Sequence, residues 1–328
     1  QRLLGELPDH DLLFAEAIAN SPAVMGVAFG DSGKTTRPPA KKSGIAFGGD
    51  NPRESLPFYN TVVANLPILE DAASGVGNFN FIPDTDGIVR RAPLFVTMGD
   101  EIYPSIVAEA LRVAQNADSY IIKSTGASQE YGAGGSTAIA SVRIADVVIP
   151  TDANGAMRLY MAPHHSSRYI PASAILDNSV SPELIDGHIV LVGTSASGLL
   201  DIRFSPLGQP VAGVELHAQA LEQIITRQII THQPEAAALA GQQFLSRPDW
   251  SPGAETLGML LLSICLIVFM LRFAALPSAI AALLAIGTAA GGAFWAFSTQ
   301  GLLFDPVLPS LGLLLTYLTF SILRHIQA

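Results

Sequence analysis

Cysteine is nearly missing from this chain: Cys265 is the single one, it sits in an apolar run, and alone it closes no intrachain disulfide. Charge is scarce as well. Only 14% of residues are Asp, Glu, Lys or Arg, against about a quarter in an ordinary soluble protein. The shortage is local, because between Thr256 and Leu323 the charged residues are Arg272 and Asp305 alone. Such a stretch has no polar face to turn toward water, which excludes a surface helix bundle. Cations are the rarer sign, 18 Lys and Arg against 28 Asp and Glu for a net charge of −10, and nearly all of both lie before residue 251. That balance excludes nucleic acid as a partner, since phosphate binding needs clustered cationic side chains. No apolar run opens the chain at Gln1, so neither a signal peptide nor a first anchor is read there. A preceding anchor and a following segment are therefore expected.

What is present divides in two. Residues 1–250 have a globular composition and are read as one soluble domain, and residues 251–328 as a membrane module. Within the latter, residues 255–271, 273–297 and 306–323 form three apolar segments, each near the ~20 residues needed to span a bilayer core. The connectors are short, so neighbouring helices run antiparallel and three crossings put the two ends on opposite faces. Arg272 marks the first connector and Arg324 with His325 the exit of the third, whereas the second connector carries Asp305. Cytoplasmic loops are enriched in Lys and Arg, so the expected topology has the soluble domain outside and the C-terminus inside. Apart from Glu255 at the edge of the first segment no charged residue lies within them, which argues against a channel or transporter. Gly287, Gly291 and Gly292 give the second helix a small-residue stripe suited to close packing, within the chain or against a second copy.

The soluble part alternates strands and helices. Leu12–Asn20 is predicted to be helical and Ala23–Phe29 a buried strand; Asp31–Lys42 reads as a mobile loop. Asp84-Thr85-Asp86-Gly87 is a hairpin signal between Phe79–Phe81 and Ile88–Met98. A second hairpin is expected around Asp152-Ala153-Asn154-Gly155, joining Val142–Ile149 to Met157–Met161, and the two turns look similarly built. Tyr103-Pro104 opens a predicted amphipathic helix bearing Ile106, Val107, Ala110, Leu111 and Ala114. His188–Gly193 reads as a continuous apolar strand buried on both faces. After a polar loop, a helix from Gly213 sets Val214, Ala218, Leu221 and Ile225 on one face and Glu215, Gln219 and Glu222 on another. The fold class is thus α/β, a mixed sheet with flanking helices, plus a three-helix transmembrane module.

Several segments in this order resemble the CHASE family of type two, a sensory extracellular domain associated with cyclases and histidine kinases. They are Gly77-Asn78-Phe79-Asn80, Asp84–Leu94, Tyr103-Pro104-Ser105, Ile189–Ala196, Gly198–Asp201 and Gly213–Glu222; together they cover roughly Leu12 to Ile230. The resemblance implies a bacterial inner-membrane receptor whose domain lies outside the cytoplasm and whose three helices lead to a cytoplasmic output working as a homodimer. That output is expected to be a class III adenylate or guanylate cyclase using Mg or Mn with ATP, or alternatively a histidine kinase. No catalytic residue, metal ligand or cofactor of such an output is carried by this segment. The expected partners are membrane lipid, a second copy, and an outside small ligand or protein.

Thr194, Ser195 and Ser197 are the candidate ligand donors, with Asp201 and Arg90, because loops at the carboxyl ends of strands in open α/β sheets border ligand crevices. The plainer reading is that these hydroxyls satisfy backbone groups, and that Asp201 and Arg203 brace the loop against Arg90 or Arg91. Gly193-Thr194-Ser195-Ala196-Ser197 imitates a nucleophile elbow with Ser197 in place of the final glycine, which leaves a hydrolase acting through Ser195 as a third reading. Asp84–Gly87 imitates a calcium loop whose twelfth position would be Phe95 instead of a bidentate Glu. His217 beside Glu215 makes a poor metal pair, and His164 and His165, in a Pro-flanked loop before Tyr169, are read as surface histidines with pH sensing as the sharper alternative.

Overall fold

A computed structural model describes residues 8–33, 37–127, 137–195, 201–232, 245, 247–248 and 250–327. The chain divides into two units, Gln1–Phe244 and Leu245–Ala328.

The first unit is α/β, with mixed sheets and flanking helices. Helix α1, His10–Ala19, is capped by Asp9, whose carboxylate accepts the Asp11 and Leu12 amides, as N-terminal N–H groups require. Strand β1, Val24–Gly30, runs antiparallel to β3, Thr61–Val63, and parallel to β4, Gly75–Asn78. A second sheet has the order β10-β9-β8-β2. Here β2, Gly44–Gly48, is the edge, parallel to β8, Ser119–Ser124, while β9, Ile139–Ile144, and β10, Val147–Pro150, follow as a hairpin. Helices α2, Pro67–Ala72, and α3, Ile106–Ala114, complete this region, and a short α4, Ala172–Leu176, follows later in the chain.

The main core gathers Phe95, Tyr120, Ile122, Ile144, Ile149 and Met157 with Leu216 and Ile224 of helix α5, Gly213–His232. A smaller cluster, Val27, Phe29, Val62, Val76, Val96 and Tyr103, packs on the three-stranded sheet. Charge is also buried, always with partners. Glu109 accepts from Arg112 at 2.8 and 3.0 Å and from the Val76 amide at 3.3 Å, and the Tyr120 hydroxyl donates to it. One carboxylate thus ties α3 to β4 and β8.

Three expectations of pairing are corrected. The segment Ile88–Met98 does not form one strand of a hairpin with Phe79–Phe81. It splits at Leu94 into β5, Arg91–Pro93, and β6, Phe95–Met98, and β6 turns back through Gly99 onto β7, Glu101–Pro104. Likewise β9 and β10 pair with each other, and β11, Ala156–Arg158, pairs with β5 instead. The turns themselves are alike. In each, the first aspartate's amide donates across the turn (Asp84 to Ile88, Asp152 to Ala156) and the glycine amide donates back to that aspartate. Gly87 and Gly155 hold φ of 79° and 74°, which a side chain would strain. Local sequence specified the turn; which strand came alongside was decided by core packing. Pro104 also belongs to β7, and the helix begins after Ser105, whose hydroxyl caps Ala108.

The third correction is His188–Gly193, which is irregular and not a buried strand. Val192 is 96% exposed, and only Leu191 of this run packs against the core. An apolar run becomes a central strand only where ladder partners stand on both sides, and none does so among the described residues. The neighbouring pair β12, Ile202–Phe204, and β13, Pro210–Ala212, forms its own ribbon.

The second unit is three helices, α6 Ser251–Arg272, α7 Ala275–Gln300 and α8 Val307–Gln327. Each is long and apolar enough to cross a membrane, and only 11% of each apolar window is buried within the protein. Leu266, Met270, Ala282 and Leu313 form the seam between them.

Candidate functional site

No hydrogen bond or ion pair links Thr194, Ser195, Asp201 and Arg90 to one another among the described residues. Thr194 and Ser195 are exposed on irregular backbone, and Ser197 lies outside the described residues. The Asp201 carbonyl accepts the Gly213 amide at 2.8 Å, and its carboxylate lies 3.5 Å from Arg203. It also crowds Gly213, where an added Cβ would come within 2.4 Å of Asp201 Oδ1. Asp201 thereby fixes the entry into α5. Arg90 is taken by its own turn, through Asp84 at 2.9 Å and a two-pronged pair with Asp86 at 2.8 and 3.0 Å. The Arg90 hydrogen bonds hold the Asp86 carboxyl down at about 2. Arg91 joins the two similar turns by pairing with Asp84 of one and, at 3.3 Å, Asp152 of the other. The aspartates that imitate a calcium loop are therefore arginine acceptors, and bracing of Asp201 against Arg90 or Arg91 does not occur among the described residues. The nearest link is through backbone, the Val89 amide donating to the Phe204 carbonyl at 2.9 Å.

Helix α5 uses its polar stripe inward. Gln219 accepts the Ala162 amide at 2.9 Å and donates to its carbonyl at 3.2 Å, and Gln223 does the same for the Tyr160 amide and the Arg158 carbonyl. Two glutamines at helical spacing thus take the place of a neighbouring strand for the segment after β11. One turn earlier, the buried Glu215 accepts the Tyr169 hydroxyl at 2.6 Å and lies 2.9 Å from His164 Nδ1. Burial pushes the Glu215 carboxyl up, but the Tyr169, His164 and Gln219 hydrogen bonds outweigh it and leave the group below its ordinary value. His217 points elsewhere, as its spacing implied. It is buried, stacked 4.3 Å from Phe81, with Nε2 3.2 Å from the Phe79 carbonyl, and desolvation pushes it down to about 4. Among the described residues no group of three His, Cys, Asp or Glu is placed to hold a metal ion.

A different place has the form of a binding site. Lys41, Lys42 and Arg53 stand around a cleft of about 130 Å³ between edge strand β2 and the β6–β7 hairpin, floored by Val76, Ile102, Tyr103 and Pro104. The loop that delivers the lysines is held from below. The fully buried Glu70 carboxylate of α2 accepts the Ala40 amide at 3.0 Å, the Asn65 amide at 3.0 Å and Arg37 at 2.6 Å. Lys41 then pairs with Glu101 and stands 6.0 Å above the Tyr103 ring, while Lys42 donates to the Asp71 carbonyl at 3.0 Å. Desolvation, followed by the charge of Arg53, lowers the Lys41 ammonium below its ordinary value. Sequence reading placed Lys41 and Lys42 in a mobile loop and passed over Arg53 and Glu101. The missed signal was the Lys41-Lys42 pair directly before an edge strand in an otherwise acidic domain.

In the second unit the charges sort by end. Glu255, near the start of α6, accepts from Arg247 at 3.0 Å and from the Asp305 amide at 2.8 Å, and Trp250 meets Phe304 at 5.8 Å. At the other end Arg324 donates to the Met270 and Phe273 carbonyls at 3.0 and 2.7 Å, satisfying orphan groups at the C-terminus of α6. Arg272 lies in that same last turn.

An α/β domain carried on apolar membrane-length helices is the class that these features define. The chain belongs to the CHASE2 domain family, whose model matches residues 3–268. It is a membrane protein with a sensory domain, the organisation of the sensor region of a receptor. No curated protein and no solved structure matches it.

Proposed function

We propose that this chain is the extracytoplasmic and membrane part of a bacterial inner-membrane receptor that relays an outside signal to a cytoplasmic class III adenylate or guanylate cyclase. The observation that carries the relay is the sorting of charge in the helical unit. Arg272 and Arg324 gather at one end, and the acidic Glu255 and Asp305 with Trp250 and Phe304 gather at the other. Basic residues flank the cytoplasmic ends of membrane helices, and tryptophan is enriched at the membrane interfaces. On this reading three crossings lead from an α/β domain outside to a C-terminal end inside. The cyclase is the output that the CHASE2 resemblance implies, and its homodimeric action requires a second copy. The stripe Gly287, Gly291 and Gly292 on α7 favours that, since nothing among the described residues lies within 4 Å of a Cβ built there. Small residues let helix backbones approach closely.

A ligand acts on such a relay only through different affinities for two helix arrangements. The test is to express the full-length protein with and without residues 8–232 and measure cyclic nucleotide production. A changed basal level or lost regulation is expected. Unchanged output and regulation overturn the sensory role, and phosphoryl transfer to a histidine in place of cyclic nucleotide would identify the kinase alternative.

A further inference from the structure

We propose that the cleft between β2 and the β6–β7 hairpin binds a small organic carboxylate, with its acid group among Lys41, Lys42 and Arg53 and its apolar body on the Tyr103 floor. The signalling consequence rests on the receptor reading above; the binding itself does not.

Charge is the first argument. The chain carries −10 overall, yet three cations meet here opposite one carboxylate, Glu101. Lys41 has that carboxylate and Lys42 has a backbone carbonyl, whereas Arg53 has no carboxylate partner among the described residues. Like charges converging on a partly desolvated cleft repel one another, and an incoming anion removes that repulsion. A guanidinium lining the cleft suits the two oxygens of a carboxylate.

Construction is the second argument. The lysine-bearing loop is pinned at Ala40 by the buried Glu70, which is itself neutralised by Arg37 at 2.6 Å. The Tyr103 floor is fixed in the smaller core, where its ring lies 5.2 Å from Phe29. The two lysines therefore line the cleft from a held backbone, and a ligand need not spend binding energy ordering that loop.

The lining selects the ligand class. An inorganic phosphate would use the cationic rim, leave the apolar floor wet, and set a second negative charge near Glu101. A monocarboxylate with one small ring meets one acid-binding rim and buries its hydrocarbon on the floor, each apolar Å² removed from water being favourable. The cleft of about 130 Å³ limits the body to that size, since drug-sized pockets run to several hundred Å³. Its walls come from β2 of the four-stranded sheet and from β4 and β7 beside the three-stranded one. Occupancy therefore favours the arrangement of those two sheets that closes the cleft.

The experiment titrates the whole chain in lipid nanodiscs with benzoate, and separately with inorganic phosphate, by calorimetry. Saturable benzoate binding is expected, weaker by about tenfold in Arg53→Ala and in Lys41→Gln, with phosphate the poorer ligand. Arg143→Ala, an exposed cation on β9, should leave binding unchanged, and melting curves check that every variant is folded. No saturable benzoate binding, equal binding in all variants, or phosphate bound more tightly than benzoate would each overturn the proposal. Benzoate binding that meets these expectations but leaves cyclic nucleotide output unmoved supports the site and counts against the receptor reading instead.

Discussion

The two units solve opposite burial problems. In the α/β unit the interior holds charge, with Glu70, Glu109 and Glu215 buried among donors. In the helical unit the exterior is apolar, with Leu261, Leu283, Leu284, Phe294 and Trp295 all exposed, while Ser278 is buried and bonded to the Ala274 carbonyl at 2.9 Å. Water accepts the first pattern and hydrocarbon the second. The difference shows that one chain is matched to two solvents, and that the buried carboxylates of the first unit and Ser278 of the second each have partners.

The sharpest way to break this comparison is Glu109→Ala. It strips Arg112 and Tyr120 of their shared partner inside the first unit and should cost about 3–5 kcal/mol, the usual penalty for breaking a buried pair; denaturant melts of the domain signal check this. A near-zero change would mean that the network is not buried.

Acid tests the same unit without mutation. His217 falls from an ordinary 6.5 to about 4 because its cationic form is desolvated, so the unfolded chain takes up the proton first. The stability contributed by neutral His217 is complete above about pH 6.5 and is lost as pH falls toward 4, a loss of about 3 kcal/mol in all. Melts across that window should slope downward in the parent, and the slope should flatten in His217→Phe.

In the helical unit the comparison inverts. Leu284→Asp would be harmless on a water-facing helix, but at the middle of a bilayer it should cost about 2.5–3.5 kcal/mol of insertion free energy, read as loss of membrane-inserted protein. Smaller again is Gln219→Leu, which leaves the Ala162 amide and carbonyl without partners and should cost about 2 kcal/mol. Arg91→Ala, which unties two partly exposed turns, should cost about 1 kcal/mol or less.

Sequence patterning was most reliable where a single element carried its own signal. Strand β1, helix α3 and helix α5 were legible from apolar spacing, and both Asp-to-Gly turns from their glycines. Pairing was not legible, because Ile88–Met98 looks continuous until Leu94 and the turn at Gly99 divide it between two partners. His188–Gly193 shows the same limit: its β-branched residues favour a strand, but no ladder meets them among the described residues. The polar face Glu215, Gln219 and Glu222 was visible in the sequence, but Gln223 was passed over, and the binding of backbone by Gln219 and Gln223 depends on where residues 158–162 run. The cationic cleft was least legible of all, since Lys41, Arg53 and Glu101 meet only after two sheets are assembled.

The central claim is that the helical unit is dissolved in lipid and has an odd number of crossings, with the sensory domain on the far side from Arg272. Its most direct test uses a Cys265→Ala background carrying either Asn178→Cys, exposed in the α/β unit, or Arg272→Cys, labelled with a membrane-impermeant maleimide on right-side-out spheroplasts. The account predicts that Asn178→Cys labels at once and Arg272→Cys only after permeabilisation. Equal labelling of both before permeabilisation would contradict it.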